Sequence, residues 1–365
     1  MASKYFGVKM MDKKTKIKQL IREAHENGIF TGTWLYAENG NVISKGAIGW
    51  RDQADSLPLQ EESIFELASV SKQFTATAIM LLCKRGKISL EDDLSKFFPD
   101  NQYSGITVRH LLNHTSGLPD HERWIMDTLK ERDVIPDNGI VSRFLKECKL
   151  KALFQAGEEF EYSNTGYCLL AEIVKQVSGM TFEDFMRYEV FEPSGMYATR
   201  ICHIRRDGNP FDNFARGLVA ENGKYMIPDD LESYNYVITL DGENGDGFIY
   251  SNIDDMLIWD RALREEKLLN KTEQMMMYTP GRLNNGRNCS WGKKDESGYG
   301  FGWDVFVDKK IGRIVSHEGY WAGYSTLYER GIDSDRTLVV LCCRDTEDTK
   351  AADDFFASMQ SIGRE

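Results

Sequence analysis

The sequence predicts an α+β fold, in which one antiparallel sheet carries the terminal helices and a helical region is inserted between its strands. Three observations carry this reading. Strand-like runs occur at both ends of the chain, at residues 31–37 and 42–50 and again at 302–307, 311–316, 325–328 and 336–343. The middle, from 76 to about 245, has helical spacing and little strand apart from 234–240. Each end also carries an amphipathic segment, 13–25 and 348–362, able to lie on a sheet. Strands at both ends can pair into one sheet, so the expected division is residues 1–75 with 246–365, and a helical region at 76–245.

In chain order, Ile17, Leu20, Ile21 and Ala24 give the first segment one apolar face. Between the first two strands, Glu38-Asn39-Gly40-Asn41 holds the Asn-Gly pair of a tight hairpin. Helical spacing begins after Ser69, with Phe74, Ala78, Ile79, Leu81 and Leu82. Ser89-Leu90-Glu91-Asp92 and Thr181-Phe182-Glu183-Asp184 resemble capping boxes, and Thr107 is placed to cap 108–113. Helical spacing recurs at 123–134 and 141–148. Ser251 is placed to cap a helix running from Ile253 through Trp259 to Leu263. Cys342 and Cys343 end an apolar run, where strand alternation points one thiol to each face.

Composition narrows the function classes. The 365 residues carry a net charge of −12, which repels the phosphates of nucleic acid. No stretch is apolar enough to span a bilayer and Met1 to Gly7 shows no leader pattern, so the expectation is a cytoplasmic protein, or one whose signal peptide has been removed, without membrane contact. Seven scattered cysteines with no Cys-x-x-Cys pair fit reduced, mostly buried thiols.

The chemistry-bearing stretch is Phe65-Glu66-Leu67-Ala68-Ser69-Val70-Ser71-Lys72. Residues three apart share a helix face, so the Lys72 ammonium reaches the Ser69 hydroxyl at the mouth of a helix. A serine is a weak nucleophile until a neighbouring base takes its proton. The helix N-terminus adds free N–H groups for a developing anion. A second Ser-x-x-Lys, Ser290 to Lys293, lies in a Gly- and Asn-rich stretch with no helical period to hold the pair together. Two further stations follow. Glu161-Tyr162-Ser163-Asn164 runs into an apolar helix, where Tyr162 acts as acid or base if Lys72 lowers its pKa. Asn164 both donates and accepts hydrogen bonds. A second Tyr-Ser-Asn, Tyr250 to Asn252, is assigned to capping. Ser316-His317-Glu318-Gly319-Tyr320 falls between two strands, with Gly319 open to close approach and His317 a proton carrier or a cation for a substrate carboxylate.

With these motifs the chain resembles the serine β-lactamase and penicillin-recognising hydrolases, nearest the branch of class C β-lactamases, D-amino-acid peptidases and related esterases. The likeness spans about residues 32 to 343 and includes Leu111-Leu112-Asn113-His114-Thr115-Ser116-Gly117-Leu118-Pro119. It implies a β-lactamase/transpeptidase-like fold and an acyl-enzyme on Ser69, with Lys72 and Tyr162 sharing the proton traffic. It also implies an oxyanion hole from the N–H groups of Ser69 and Tyr320, with Asn164 holding Lys72 and the substrate amide. The third motif departs from β-lactamases: His317 and Glu318 stand where those enzymes have lysine and threonine, so the permanent cation is missing and a histidine is mostly neutral at pH 7. That points to small esters, amides or short peptides as substrates, with weak action on lactams at most, and to no cofactor. The alternative function is a non-catalytic binder of peptides or cell-wall fragments, against which the intact Ser69, Lys72 and Tyr162 argue.

Rival signals are weaker. His110 and His114 share a helix face, but no carboxylate accompanies them and no metal is expected. Gly242 to Gly247 lacks nucleotide-loop order, Met275 to Met277 reads as core filler, and no Gly-x-Ser-x-Gly elbow is present.

Overall fold

A computed structural model describes residues 11–52, 56–129, 135–208, 211–291, 297–346 and 348–364. The main sheet has seven strands: β1 (Gly32–Glu38), β2 (Asn41–Ile48), β3 (Gly298–Tyr299), β4 (Asp304–Asp308), β5 (Gly312–Trp321), β6 (Tyr324–Gly331) and β7 (Arg336–Cys342). Their order is β3-β4-β5-β6-β7-β1-β2, antiparallel throughout. The first strands of the chain therefore pair with the last, Gly32 opposite Cys342 and Glu38 opposite Arg336. The β1–β2 hairpin turns at Asn39 (φ +48°) and Gly40 (φ +75°), the left-handed pair that an Asn-Gly hairpin requires.

Strand alternation splits the apolar residues between the two faces of the sheet. Trp34, Tyr36, Leu338, Val340 and Cys342 pack on the helices α1 (Lys13–Glu26) and α5 (Thr349–Arg364), against Ile17, Ile21, Phe355 and Met359. Leu35, Ala37, Val339, Leu341 and Cys343 face the other way, into the main core. That core is built around α2 (Lys72–Lys84), which is buried from Lys72 through Leu82. Phe74 of α2 lies 4.7 Å from the ring of Trp259, whose indole donates to Gln73 at 2.7 Å. Trp259 belongs to α4 (Ile253–Arg264), and α3 (Asn164–Ser178) packs beside α2. Emptying the Phe74 position with Phe74→Ala would cost about 3–5 kcal/mol.

Several local expectations change. Ser89 to Asp92 opens no helix. It closes a turn in which Asp92 accepts from the Ser89 N–H, and a single 3₁₀ turn, Leu94–Lys96, follows. Residues 234–240 hold a short helical turn, Tyr236–Thr239, because the β-branched run Val237-Ile238-Thr239 has no strand beside it to pair with. Asn252, not Ser251, caps α4, while Ser251 meets the Thr199 hydroxyl. The helix read at 123–134 is seen as His121–Thr128, and residues 130–134 lie outside the described part. Of the methionines, Met277 is buried but Met276 is exposed. Three small sheets were not expected: Trp50–Asp52 with Leu57–Pro58, Phe65–Glu66 with Ile249–Ser251 and Arg200–Ile201, and the hairpin Val219–Glu221 with Lys224–Met226. Among the described residues, no helix is long and apolar enough to cross a membrane.

One feature of the sheet positions the site. β4 pairs with β5 only between Gly312 and Ser316. Beyond Ser316, among the described residues, β5 pairs with β6 alone, so His317 to Trp321 present an open edge.

Candidate active site

Ser69 sits in a 3₁₀ turn, Ala68–Ser71, that runs directly into α2. The residue before it, Ala68, has φ +47°, a left-handed conformation that an alanine seldom adopts and that surrounding packing must hold. The packing comes from the open part of β5. A Cβ on Gly319 would lie 2.3 Å from the Leu67 carbonyl and 3.1 Å from the Ser69 nitrogen, so only glycine lets the strand lie against this turn. Thr326 of β6 pins the same turn by donating to the Leu67 carbonyl at 2.8 Å.

Lys72 opens α2 and is fully buried. Its ammonium donates to Ser69 Oγ at 3.1 Å, Asn164 Oδ1 at 2.8 Å and the Asp246 carbonyl at 2.8 Å. An ammonium has three protons and all three are engaged, so in this state Lys72 accepts none. The Asp246 contact explains the glycines around it. Gly245 has φ +99°, a Cβ there would meet the Tyr167 carbonyl at 2.4 Å, and its own carbonyl accepts from Thr75 at 2.6 Å. The Gly242–Gly247 loop thus seats the lysine.

Ser163 caps α3, its hydroxyl accepting from the Gly166 N–H. This frees Asn164, the first helical residue, to reach Lys72, while its Nδ2 donates to Glu122 Oε1 at 2.6 Å. The Tyr162 ring lies 5.0 Å from the Lys72 ammonium and its hydroxyl is buried without a hydrogen-bond partner. Here the sequence expectation reverses: burial raises the Tyr162 pKa, and the downward pull of Lys72 and Ser69 does not overcome it. His114 holds the tyrosine in place. Its ring centroid is 4.3 Å from that of Tyr162, and its Nδ1 accepts from the Ser163 N–H at 3.0 Å.

His317 is neither a cation nor a free proton carrier. Its Nδ1 contacts the Glu318 carbonyl at 2.5 Å, which only a donor can do, so Nε2 accepts from the Tyr299 hydroxyl at 2.9 Å. Both nitrogens are spent within the protein. Burial, then the nearby Lys72, pushes its pKa down to about 3. His317 is thus neutral at physiological pH and cannot be a cation for a substrate carboxylate. Glu318 is exposed and lines the same cavity.

That cavity, about 730 Å³, is bordered by Ser69, Tyr162, Asn164, His317, Glu318 and Tyr320. Ser290 also borders it, but Gly292 and Lys293 of the second Ser-x-x-Lys lie outside the described residues. Trp291 forms part of the wall, 5.3 Å from the Tyr162 ring. A second cavity of about 600 Å³ adjoins it at Asn164 and Tyr320 and is lined by Tyr234, Tyr236, Trp321 and Glu122. The structure therefore brings Ser69, Lys72, Tyr162, Asn164, His317, Gly319 and Tyr320 to one place. Sequence reasoning missed Glu122, Asp246 and the role of His114. His110 and His114 face different partners, Thr107 and Ser163, and share no ligand cluster among the described residues.

The β-lactamase family model matches residues 17–360. Penicillin-binding protein 4* of Bacillus subtilis (strain 168) is 38% identical over 341 residues, 93% of this chain and 73% of its own length. The crystal structure of a penicillin-binding protein from Bacillus halodurans superposes with a TM-score of 0.79, at 24% identity, covering 94% of this chain and 98% of that one. D-amino acid amidase from Ochrobactrum anthropi SV3, solved with L-phenylalanine amide, gives 0.78 at 21% identity, covering 96% and 98%. At these identities the two solved structures speak for a shared fold, and the family match and the B. subtilis relative carry the assignment: the chain belongs to the β-lactamase family.

Proposed function

We propose that the protein is a serine hydrolase that cleaves small esters or amides through an acyl-enzyme on Ser69. The observation that carries this is the buried Lys72 ammonium, held at once by Ser69 Oγ and Asn164 Oδ1 beneath an open cavity. Burying a cation is costly unless it is paired, and a site serving only to bind ligand has no use for it under a serine hydroxyl. Ser69 Oγ attacks the carbonyl carbon, and its proton passes to the Lys72–Tyr162 pair. Because the ammonium is already saturated, the pair must first hold one proton fewer. That proton then goes to the leaving oxygen or nitrogen as the carbonyl re-forms. Water repeats the sequence in reverse and frees Ser69. The oxyanion faces the N–H groups of Ser69 and Tyr320, and the Gly319 contact that presses β5 on the Ser69 turn supports this pairing.

Substrate class follows from the third motif. A neutral His317 and an exposed Glu318 offer a substrate carboxylate no cation in the place where β-lactamases keep one. A hydrogen bond to a charged group contributes about 1.5–3 kcal/mol, which corresponds to roughly ten- to hundredfold in affinity. Turnover of a neutral p-nitrophenyl ester should therefore exceed that of nitrocefin by about that factor in kcat/KM at pH 7.5. Ser69→Ala should abolish both. Equal or better turnover of nitrocefin contradicts the substrate class, and ester turnover that survives in Ser69→Ala contradicts the mechanism.

A further inference from the structure

Behind Asn164 lies a group of ionisable side chains with no place in the mechanism above. Glu122 sits at the start of the helix His121–Thr128, half-buried, and Asn164 is its hydrogen-bond donor at 2.6 Å. Carboxylate oxygens of Glu122, Glu243 and Asp246 all lie within 4.8 Å of one another. His121 Nε2 is 2.9 Å from Glu243 Oε1, and Cys168 donates to Asp246 Oδ1 at 3.3 Å.

His121 is held between Thr165 and Glu243. The Thr165 hydroxyl donates its only proton to the Pro119 carbonyl at 3.1 Å. It can only accept from His121, both from the backbone N–H at 3.1 Å and from Nδ1 at 3.0 Å. With that hydroxyl proton on Pro119, Nδ1 is the donor; burial lowers the His121 pKa, but Glu243, 2.9 Å from Nε2, outweighs it and raises it to about 9. The His121–Glu243 pair thus holds a proton beyond that of a neutral imidazole, and this charge is met inside the protein.

The two ends of the Asn164 amide have nearly the same shape. Turned over, the amide would aim Nδ2 at the Lys72 ammonium, donor against donor. Glu122 is acceptor-only when ionised and discriminates the two orientations. We propose that Glu122 is a positioning residue: it fixes the Asn164 amide so that Oδ1 serves Lys72. This rests on the serine-hydrolase reading of the site. The groups facing Glu122 are His121, Glu243, Asp246, Asn164, Cys168 and Tyr236, with Lys72 beyond Asn164. Burial, then Glu243 and Asp246, raises the Glu122 pKa to about 7, against the opposing pull of His121. Its ionised, orienting form is lost as pH falls through that value.

The test is the rate of Ser69 modification by a fluorophosphonate as a function of pH, which needs no natural substrate. In the wild type the rate should fall as pH drops through about 7. Glu122→Gln keeps an acceptor oxygen but not the titration, so the limb near pH 7 should be lost, with a rate above pH 8 within about threefold of wild type. Glu122→Ala should lose about tenfold at every pH, and in ester turnover the loss should fall on kcat rather than KM. Thermal melts check folding, and should Glu122→Ala fail to fold, the acid limb of Glu122→Gln decides alone. Wild-type rates and an unmoved limb in the Glu122 variants overturn the inference while leaving the hydrolase intact. A wild type whose Ser69 is never modified overturns the hydrolase reading itself.

Discussion

The tripeptide Tyr-Ser-Asn occurs twice in this chain, each time at the start of a helix, and the two copies are used differently. At 162–164 the serine is the cap, so Asn164 is released to join Lys72 and Glu122. At 250–252 the asparagine is the cap, its Oδ1 turned to the helix and accepting from the Asp255 N–H at 2.8 Å. Tyr162 stands beside a buried cation with its hydroxyl unpartnered, whereas Tyr250 donates to Glu66 at 3.0 Å. A shift of one residue in the cap separates a reactive station from a structural one. Residue type is the same in both; the backbone register and the neighbouring charge differ.

The largest expected contrast is between the tyrosines. Tyr162→Phe, like Lys72→Ala, should lower kcat about a hundredfold or more by removing a proton-transfer partner. The two together should be little worse than the worse single change, because they act as one unit. Tyr250→Phe should leave kcat unchanged and lower stability by about 1 kcal/mol, the contribution of a lost buried hydrogen bond. Steady-state kinetics and denaturant unfolding on the same preparations separate the two outcomes. A comparable loss of kcat in Tyr250→Phe would erase the distinction between the copies.

The asparagines give a smaller contrast of the same form. Asn164→Ala should reduce kcat by about tenfold, since Lys72 loses one of its three acceptors and its placement over Ser69. Asn252→Ala should cost about 1 kcal/mol as a lost cap, a fall of about 2–4 °C in Tm, with kcat per folded molecule intact. The same two assays measure it. A kcat loss in Asn252→Ala, or a stability loss without a kcat loss in Asn164→Ala, would place the functional asparagine in the wrong copy.

The same contrast shows what the sequence can reveal. Ser69 and Lys72 are legible because three residues of separation on a helical turn is a local rule, and the strand pairing follows from alternation at both ends of the chain. The hairpin at Asn39-Gly40 was found by its turn chemistry, yet Asn222-Gly223 between Val219–Glu221 and Lys224–Met226 was passed over because its strands are only three residues long. Glu122 and Asp246 leave no trace, since each reaches the site from a loop or helix start far from Ser69 in the chain. That both nitrogens of His317 are spent inside the protein is not legible either, because it depends on Tyr299 and the Glu318 carbonyl and not on residue type. The Tyr162 pKa was misread because one favourable cation was weighed without the desolvation that opposes it.

The central claim is that Ser69 is the residue acylated, and the most direct measurement maps a covalent adduct. Wild-type protein and Lys72→Ala are treated with a fluorophosphonate, digested, and the modified peptide sequenced by mass spectrometry. The adduct should lie on Ser69 in the wild type and form at least a hundredfold more slowly in Lys72→Ala. An adduct on Ser71, whose hydroxyl accepts from the Ile249 N–H, or on Ser290 at the rim of the cavity, with Ser69 untouched, would contradict the account.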